Sequence, residues 1–258
     1  MTTPRRTRAT RAARLARHLG SAYASAVLRA PALAPTGRRQ LAADLAREML
    51  DVLQVRLEVR GEPPAGAPTL VVANHVSWLD MYVLNAVAGA RFVAKSEVRG
   101  WPGFGTIAAR FGTFFIVRGS YRDAARVRTA VAWALASGER VAVFPEGTTT
   151  DGTTVGRFYP ALFQSAIDAG VPVQPVALRY CDVRGQRSEA PVFVGDTTIL
   201  DSLTRVLREP LLTAEVVLGP ALHAAGHTRR DLAELARRWI RGTFGLPWQP
   251  NVERRRAA

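Results

Sequence analysis

Leu41, Leu45, Met49 and Val52 recur at spacings of four, four and three, and Leu50 and Leu53 widen the stripe, which predicts an amphipathic helix ending near Gln54. Its apolar face is suited to core packing or, alternatively, to a membrane interface. Residues 55–60 then alternate as a strand with one solvated face, and Gly61 to Pro68 reads as a proline- and glycine-rich loop. The apolar run 69–73 predicts a short buried strand. It leads directly into Asn74-His75-Val76-Ser77-Trp78-Leu79-Asp80, after which a short helix continues to Ala88 and is ended by Gly89.

Further strands are predicted over 91–95, 113–118, 141–144, 173–180 and 214–218. The strand over 113–118 is expected to be buried, and Pro175 predicts that its strand is bulged or lies at a sheet edge. Helices are predicted up to Ala109, over 121–136, 161–169 and 200–208, and around Leu232, Leu235, Ala236 and Trp239. This alternation predicts an α/β fold: a mixed, mainly parallel sheet covered by helices, preceded by an N-terminal amphipathic helical arm. Residues 1–54 form the membrane-associating arm in this reading, 55–245 the main domain and 246–258 a basic tail.

The 258 residues suffice for a sizeable core. A formal net charge of +14, carried by arginines and a single lysine, Lys95, points to anionic surfaces. Arginines 5, 6, 8, 11, 14 and 17 make the first 17 residues either a helix formed on such a surface or a disordered tail. The apolar segment behind them, broken by His18, Arg29 and Pro31, would make only a weak signal peptide with Ala30-Pro31-Ala32 as a poor cleavage site, and no run reaches the roughly 18–20 apolar residues that cross a bilayer. Peripheral or monotopic association with the cytoplasmic face of the inner membrane is therefore expected. Cys181 is the only cysteine, which excludes an internal disulfide.

Two histidines, His223 and His227, are four apart with Gly226 between them and no third ligand in view, so no metal is expected. No Gly-x-Ser-x-Gly elbow of a serine hydrolase occurs. The arginines are spread without a stacking pattern of aromatics, which argues against a nucleic-acid-binding protein, the competing reading of the charge. Gly103-Phe104-Gly105-Thr106-Ile107-Ala108 matches a loose dinucleotide fingerprint but follows a proline loop, not a strand.

Chemistry concentrates where strands end. His75 with Asp80 offers a general base and a carboxylate that can hold its tautomer. Five residues on a regular helix turn through about 140°, so the pairing needs His75 ahead of the first turn with Asp80 reaching back. Glu146-Gly147-Thr148 follows the 141–144 strand, either as a turn with a helix cap or as part of a binding site. Arg118 ends the strand before it, either as a surface arginine or as a clamp for an anion.

Asn74-His75 with Asp80, Gly112 to Arg118, Phe144-Pro145-Glu146-Gly147-Thr148 and Val171 to Val176 together resemble, in order, four blocks of the glycerolipid acyltransferase family typified by bacterial 1-acylglycerol-3-phosphate acyltransferase. The resemblance spans about residues 55–222, and the C-terminal helix adds little to it. It implies transfer of a fatty acyl group from an acyl-CoA or acyl carrier protein thioester to a lysolipid hydroxyl, without metal or bound cofactor. His75 would be the base, Asp80 its partner, Arg118 the contact to an acceptor phosphate, and Glu146, Gly147 and Thr148 acceptor-binding residues. Lys95 is a secondary candidate for the phosphate. Thr149 stands where many members carry an arginine or lysine, and Thr149-Thr150-Asp151-Gly152 resembles the subgroup acting on lyso-ornithine lipid, so that acceptor is the alternative to 1-acylglycerol-3-phosphate.

Overall fold

The computed structural model describes residues 5–62 and 67–247. Most of the tail expected over 246–258 lies outside these. Seven strands form one sheet: β1 (Val55–Arg60), β2 (Thr69–Ala73), β3 (Arg91–Lys95), β4 (Phe114–Ile116), β5 (Arg140–Val143), β6 (Val173–Cys181) and β7 (Leu212–Leu218), in the spatial order β1-β7-β6-β2-β5-β3-β4. Every pairing is parallel except β6 with β7. β2 to β6 therefore run in one direction, and β1 and β7 in the other. The expected mixed, mainly parallel sheet is the one observed.

Helices cover both faces, as a sheet with apolar side chains on both sides requires. One face packs against α2 (Pro35–Val52), α3 (Leu79–Ala88) and α7 (Ile199–Arg208) through Met49, Leu50, Val83, Leu84 and Val206. The other packs against α5 (Tyr121–Ala136), α6 (Phe163–Ala169) and α8 (Arg229–Thr243) through Val131, Leu135, Phe163, Leu232 and Ile240. The stripe of α2 is spent on packing: Met49, Leu50 and Val52 are buried in this core, and Leu41 and Leu45 are buried against the N-terminal arm, so the stripe does not offer a membrane-facing surface.

One strand expectation changes and another narrows. Residues 113–118 yield only the three-residue β4, a half-buried edge strand whose sole neighbour is β3. β6, by contrast, is internal despite Pro175. The missing N–H falls in a gap: β7 leaves β6 after Leu218 opposite Val176, and pairing resumes only at the Val173–Leu222 bridge. Gly219 then donates to the Pro175 carbonyl at 2.8 Å, so no ladder bond is lost to the ring.

The basic N-terminal segment is helical. α1 (Arg5–Ala24), rich in alanine and arginine, passes through a π turn (Ser25–Arg29) into a 3₁₀ turn (Ala30–Ala32). Ala22 and Ala30 pack with Leu41 and Leu45, against Ile107 and Phe111 of the α4 region (helix Phe104–Arg110). Arg11 fastens the arm to the domain. It is 4% exposed and donates to the carbonyls of Leu207 (3.0 Å), Glu209 (2.8 Å) and Leu53 (2.6 Å). These carbonyls close α7 and α2, where a cation also meets the negative ends of both helix dipoles. Arg11→Met is expected to cost about 2 kcal/mol of arm docking, as charged hydrogen bonds of this kind do. Faster amide exchange confined to α1 checks it; unchanged protection there would show that apolar contacts alone hold the arm.

Candidate active site

β2, β3, β5 and the edge strand β4 are parallel, so their C-terminal ends meet at one rim, where α/β folds gather ligand-binding loops. His75 follows β2, Lys95 ends β3, Arg118 follows β4 and Glu146 follows β5. A cleft of about 670 Å³ at this rim is lined by His75, Lys95, Arg118, Gly147 and Thr148, with Trp78, Trp101, Phe144 and Tyr159 among its apolar walls. Five of the seven residues singled out from sequence share this space. Asp80 and Glu146 sit behind it.

His75 lies ahead of the first turn of α3, and the ring's Nδ1 is 2.8 Å from Asp80 Oδ2. The same oxygen accepts the backbone N–H groups of Val76 (2.6 Å) and Ser77 (2.9 Å), while Oδ1 accepts the Tyr180 hydroxyl at 2.6 Å. Asp80 is fully buried yet fully engaged, a charge stabilised by four donors and by the amino end of α3. Its carboxylate, an acceptor only, holds the imidazole proton on Nδ1 and leaves Nε2 as the nitrogen with a basic lone pair. Phe144 stacks on the imidazole at 3.9 Å and 11°, fixing the ring plane. The Tyr180 hydroxyl, buried beside Asp80, is pushed well above its ordinary pKa and stays a donor.

Glu146 is turned away from the cleft. Its Oε1 accepts the His75 backbone N–H at 2.8 Å and its Oε2 the Gly156 N–H at 2.7 Å. Burial pushes its pKa up to about 7; the two amides and Arg237 oppose the rise, and Asp80 adds to it. From the same loop Thr150 N–H donates to the His75 carbonyl at 2.8 Å. The loop after β5 thus grips the His75 peptide from both sides. Thr149 is occupied structurally as well, its hydroxyl donating to the Phe193 carbonyl.

Arg118 crosses the cleft to donate to the Gly147 carbonyl. Lys95 lies beside it: partial burial, and then repulsion from Arg118, hold the ammonium below its ordinary pKa, while Glu97 acts in the opposite sense. Two cations drawn together at the rim of an apolar cleft suit a ligand with an anionic head and an apolar body.

Asn74 ends β2 by exchanging two hydrogen bonds with the backbone of Leu178, Nδ2 to O at 2.9 Å and N to Oδ1 at 2.8 Å. It continues the ladder to β6 past the point where the main chain turns off toward His75. Tyr180 and Arg237 are the site residues that sequence reading did not single out. Both reach the site from distant elements, and neither belongs to a recognisable motif.

An oriented imidazole at the strand rim of a three-layer fold, with an apolar cleft and two cations in front of it, is the arrangement of an enzyme suited to an amphiphilic substrate. The comparisons make this specific. The model of the Acyltransferase family matches residues 55–179. A 1-acyl-sn-glycerol-3-phosphate acyltransferase of Neisseria meningitidis is 41% identical over 184 residues, covering 70% of this chain and 71% of the relative. A lyso-ornithine lipid O-acyltransferase of Pseudomonas aeruginosa is 40% identical over 206 residues, covering 80% and 78%. The crystal structure of a 1-acyl-sn-glycerophosphate acyltransferase from Thermotoga maritima shares the fold, with a TM-score of 0.64 at 18% identity over 94% of this chain and 100% of that one. The chain belongs to the acyltransferase family.

Proposed function

We propose that the protein acylates the free hydroxyl of 1-acylglycerol-3-phosphate with a fatty acyl group from acyl-CoA or acyl carrier protein, giving phosphatidic acid. The observation that carries this reading is the shared cleft, in which the His75 imidazole and the Lys95 and Arg118 cations border one apolar space. His75 Nε2 takes the hydroxyl proton as the alkoxide attacks the thioester carbonyl. The tetrahedral intermediate collapses with cleavage of the C–S bond, and the thiolate recovers the proton from the imidazolium. Asp80 stabilises that imidazolium. The acceptor phosphate sits on Arg118 and Lys95, and Gly147 and Thr148 border it.

Association with the membrane surface is part of the same reading. No helix among the described residues is long and apolar enough to cross a membrane. Leu19, Tyr23 and Leu28 of the arm are exposed, as are Val117, Tyr121 and Tyr159, which line the cleft. Together with the net charge of +14 they suit peripheral contact with anionic lipid.

Lyso-ornithine lipid is the second reading, supported by the Pseudomonas relative and by the Thr149 to Gly152 sequence. Labelled palmitoyl-CoA offered with each acceptor in turn tests both. Product from 1-acylglycerol-3-phosphate alone supports the first reading, product from lyso-ornithine lipid alone the second, and product from neither overturns the proposal. Arg118→Ala is expected to raise KM for the phosphate-bearing acceptor at least about tenfold, the loss of one charge-assisted contact, while leaving KM for the acyl donor unchanged. An unchanged acceptor KM would remove Arg118 from phosphate binding.

A further inference from the structure

We infer that Arg237, on the C-terminal helix α8, is a positioning residue for acyl transfer, acting through the Val155-Gly156 segment and Glu146 on the peptide of His75. The inference rests on the reading of His75 as the general base. Sequence resemblance assigns α8 no part in the chemistry, and the matched family region ends at residue 179.

The connection is continuous. Arg237 is 7% exposed; its Nε donates to the Gly156 carbonyl at 2.7 Å and an Nη to the Val155 carbonyl at 3.3 Å. The Val155 carbonyl belongs to the same peptide unit as the Gly156 N–H. One peptide plane therefore has the guanidinium on its oxygen and Glu146 Oε2 on its hydrogen, an arrangement in which each bond polarises the next. The other Glu146 oxygen holds the His75 N–H. A Cβ at position 156 would stand 2.9 Å from Glu146 Oε2, so a side chain there would have to displace that carboxylate oxygen. Within ion-pair distance of the guanidinium, among the described residues, stands Glu234, one turn earlier, at 3.7 Å and half-exposed.

The charged and titratable groups facing Glu146 are His75 from the β2–α3 junction, Asp80 from α3 and Arg237 from α8. Both Glu146 oxygens face N–H donors, so a protonated carboxyl would turn one O–H against an N–H. Asp80 and burial favour that protonation; Arg237 opposes it. Loss of the guanidinium should both slacken the loop and let Glu146 take up a proton at higher pH.

The test uses the full chain in detergent micelles with palmitoyl-CoA and whichever acceptor the wild type acylates. Arg237→Met is expected to lower kcat by about tenfold to a hundredfold, the scale of sub-ångström misplacement of a catalytic group, with both KM values within about twofold. The acid limb of its pH–kcat profile should move to higher pH, and Arg237→Lys, which keeps the charge, should restore that limb. A kcat within twofold of wild type with an unmoved acid limb overturns the inference. So does a loss that merely follows the folded fraction seen by circular dichroism. If the methionine variant does not fold, the lysine variant decides: a several-fold fall in kcat at unchanged KM supports positioning, and a wild-type kcat refutes it. Activity retained in His75→Ala would instead overturn the underlying reading of the base.

Discussion

His75→Ala is expected to remove acyl transfer by about 10²- to 10⁴-fold, the range contributed by a positioned general base, with the thermal unfolding curve nearly unchanged. The side chain borders the cleft, and its backbone is held by Glu146 and Thr150 regardless of what it carries. The expectation of an intact fold follows from that division: the main chain does the structural work and, on the proposed reading, the ring does the chemistry. Steady-state turnover and circular dichroism on one preparation check it. Activity within tenfold of wild type would exclude the imidazole from proton transfer.

Asp80→Asn should approach the same loss by a different route. An asparagine could place its oxygen where Oδ2 now meets His75 Nδ1 and the Val76 and Ser77 amides, with its NH₂ toward the Tyr180 oxygen. Geometry would survive and the charge would not. The imidazolium formed as the hydroxyl gives up its proton would then lack a counter-charge inside a buried site. Neutralising the corresponding carboxylate in a serine protease triad costs about 10⁴-fold, and we expect at least about 10² here. Removing a buried carboxylate from the amino end of α3 should cost no more than about 2 kcal/mol in stability. Single-turnover rates separate the effects, because a variant that folds but reacts within tenfold of wild type would reduce Asp80 to a structural role.

The parts of this site visible in the sequence are those built from neighbours. His75 and Asp80 are five residues apart, and the apolar run before them announces the strand end that brings them together. The order of strands and helices was equally visible, since periodicity is a local property. Contacts between distant segments were not. Tyr180 meets Asp80 across 100 residues, and its signature in the chain is that of any aromatic in a buried strand. Glu146 carried a binding role in the resemblance, but only the fold reveals that its oxygens face the backbone. The shortness of β4 depends on its place at the sheet edge, which no pattern within 113–118 encodes. Pro175 signalled an irregularity or an edge, and the structure has the first: between the Val176–Leu218 and Val173–Leu222 pairs β7 carries one more residue than β6, while β6 itself stays internal, a choice that depends on β7 and is not encoded in β6.

Arg11 binds three main-chain carbonyls and no side chain among its hydrogen-bond partners. Every residue type supplies a carbonyl, so the attachment itself does not depend on which side chains stand at 53, 207 and 209, although Leu53 and Leu207 are held in the core for packing reasons of their own. Compensating substitutions between the arm and these positions are then not needed, and covariation would leave the attachment invisible. A side-chain scan of the domain face would likewise pass over it, and only the arginine itself would register.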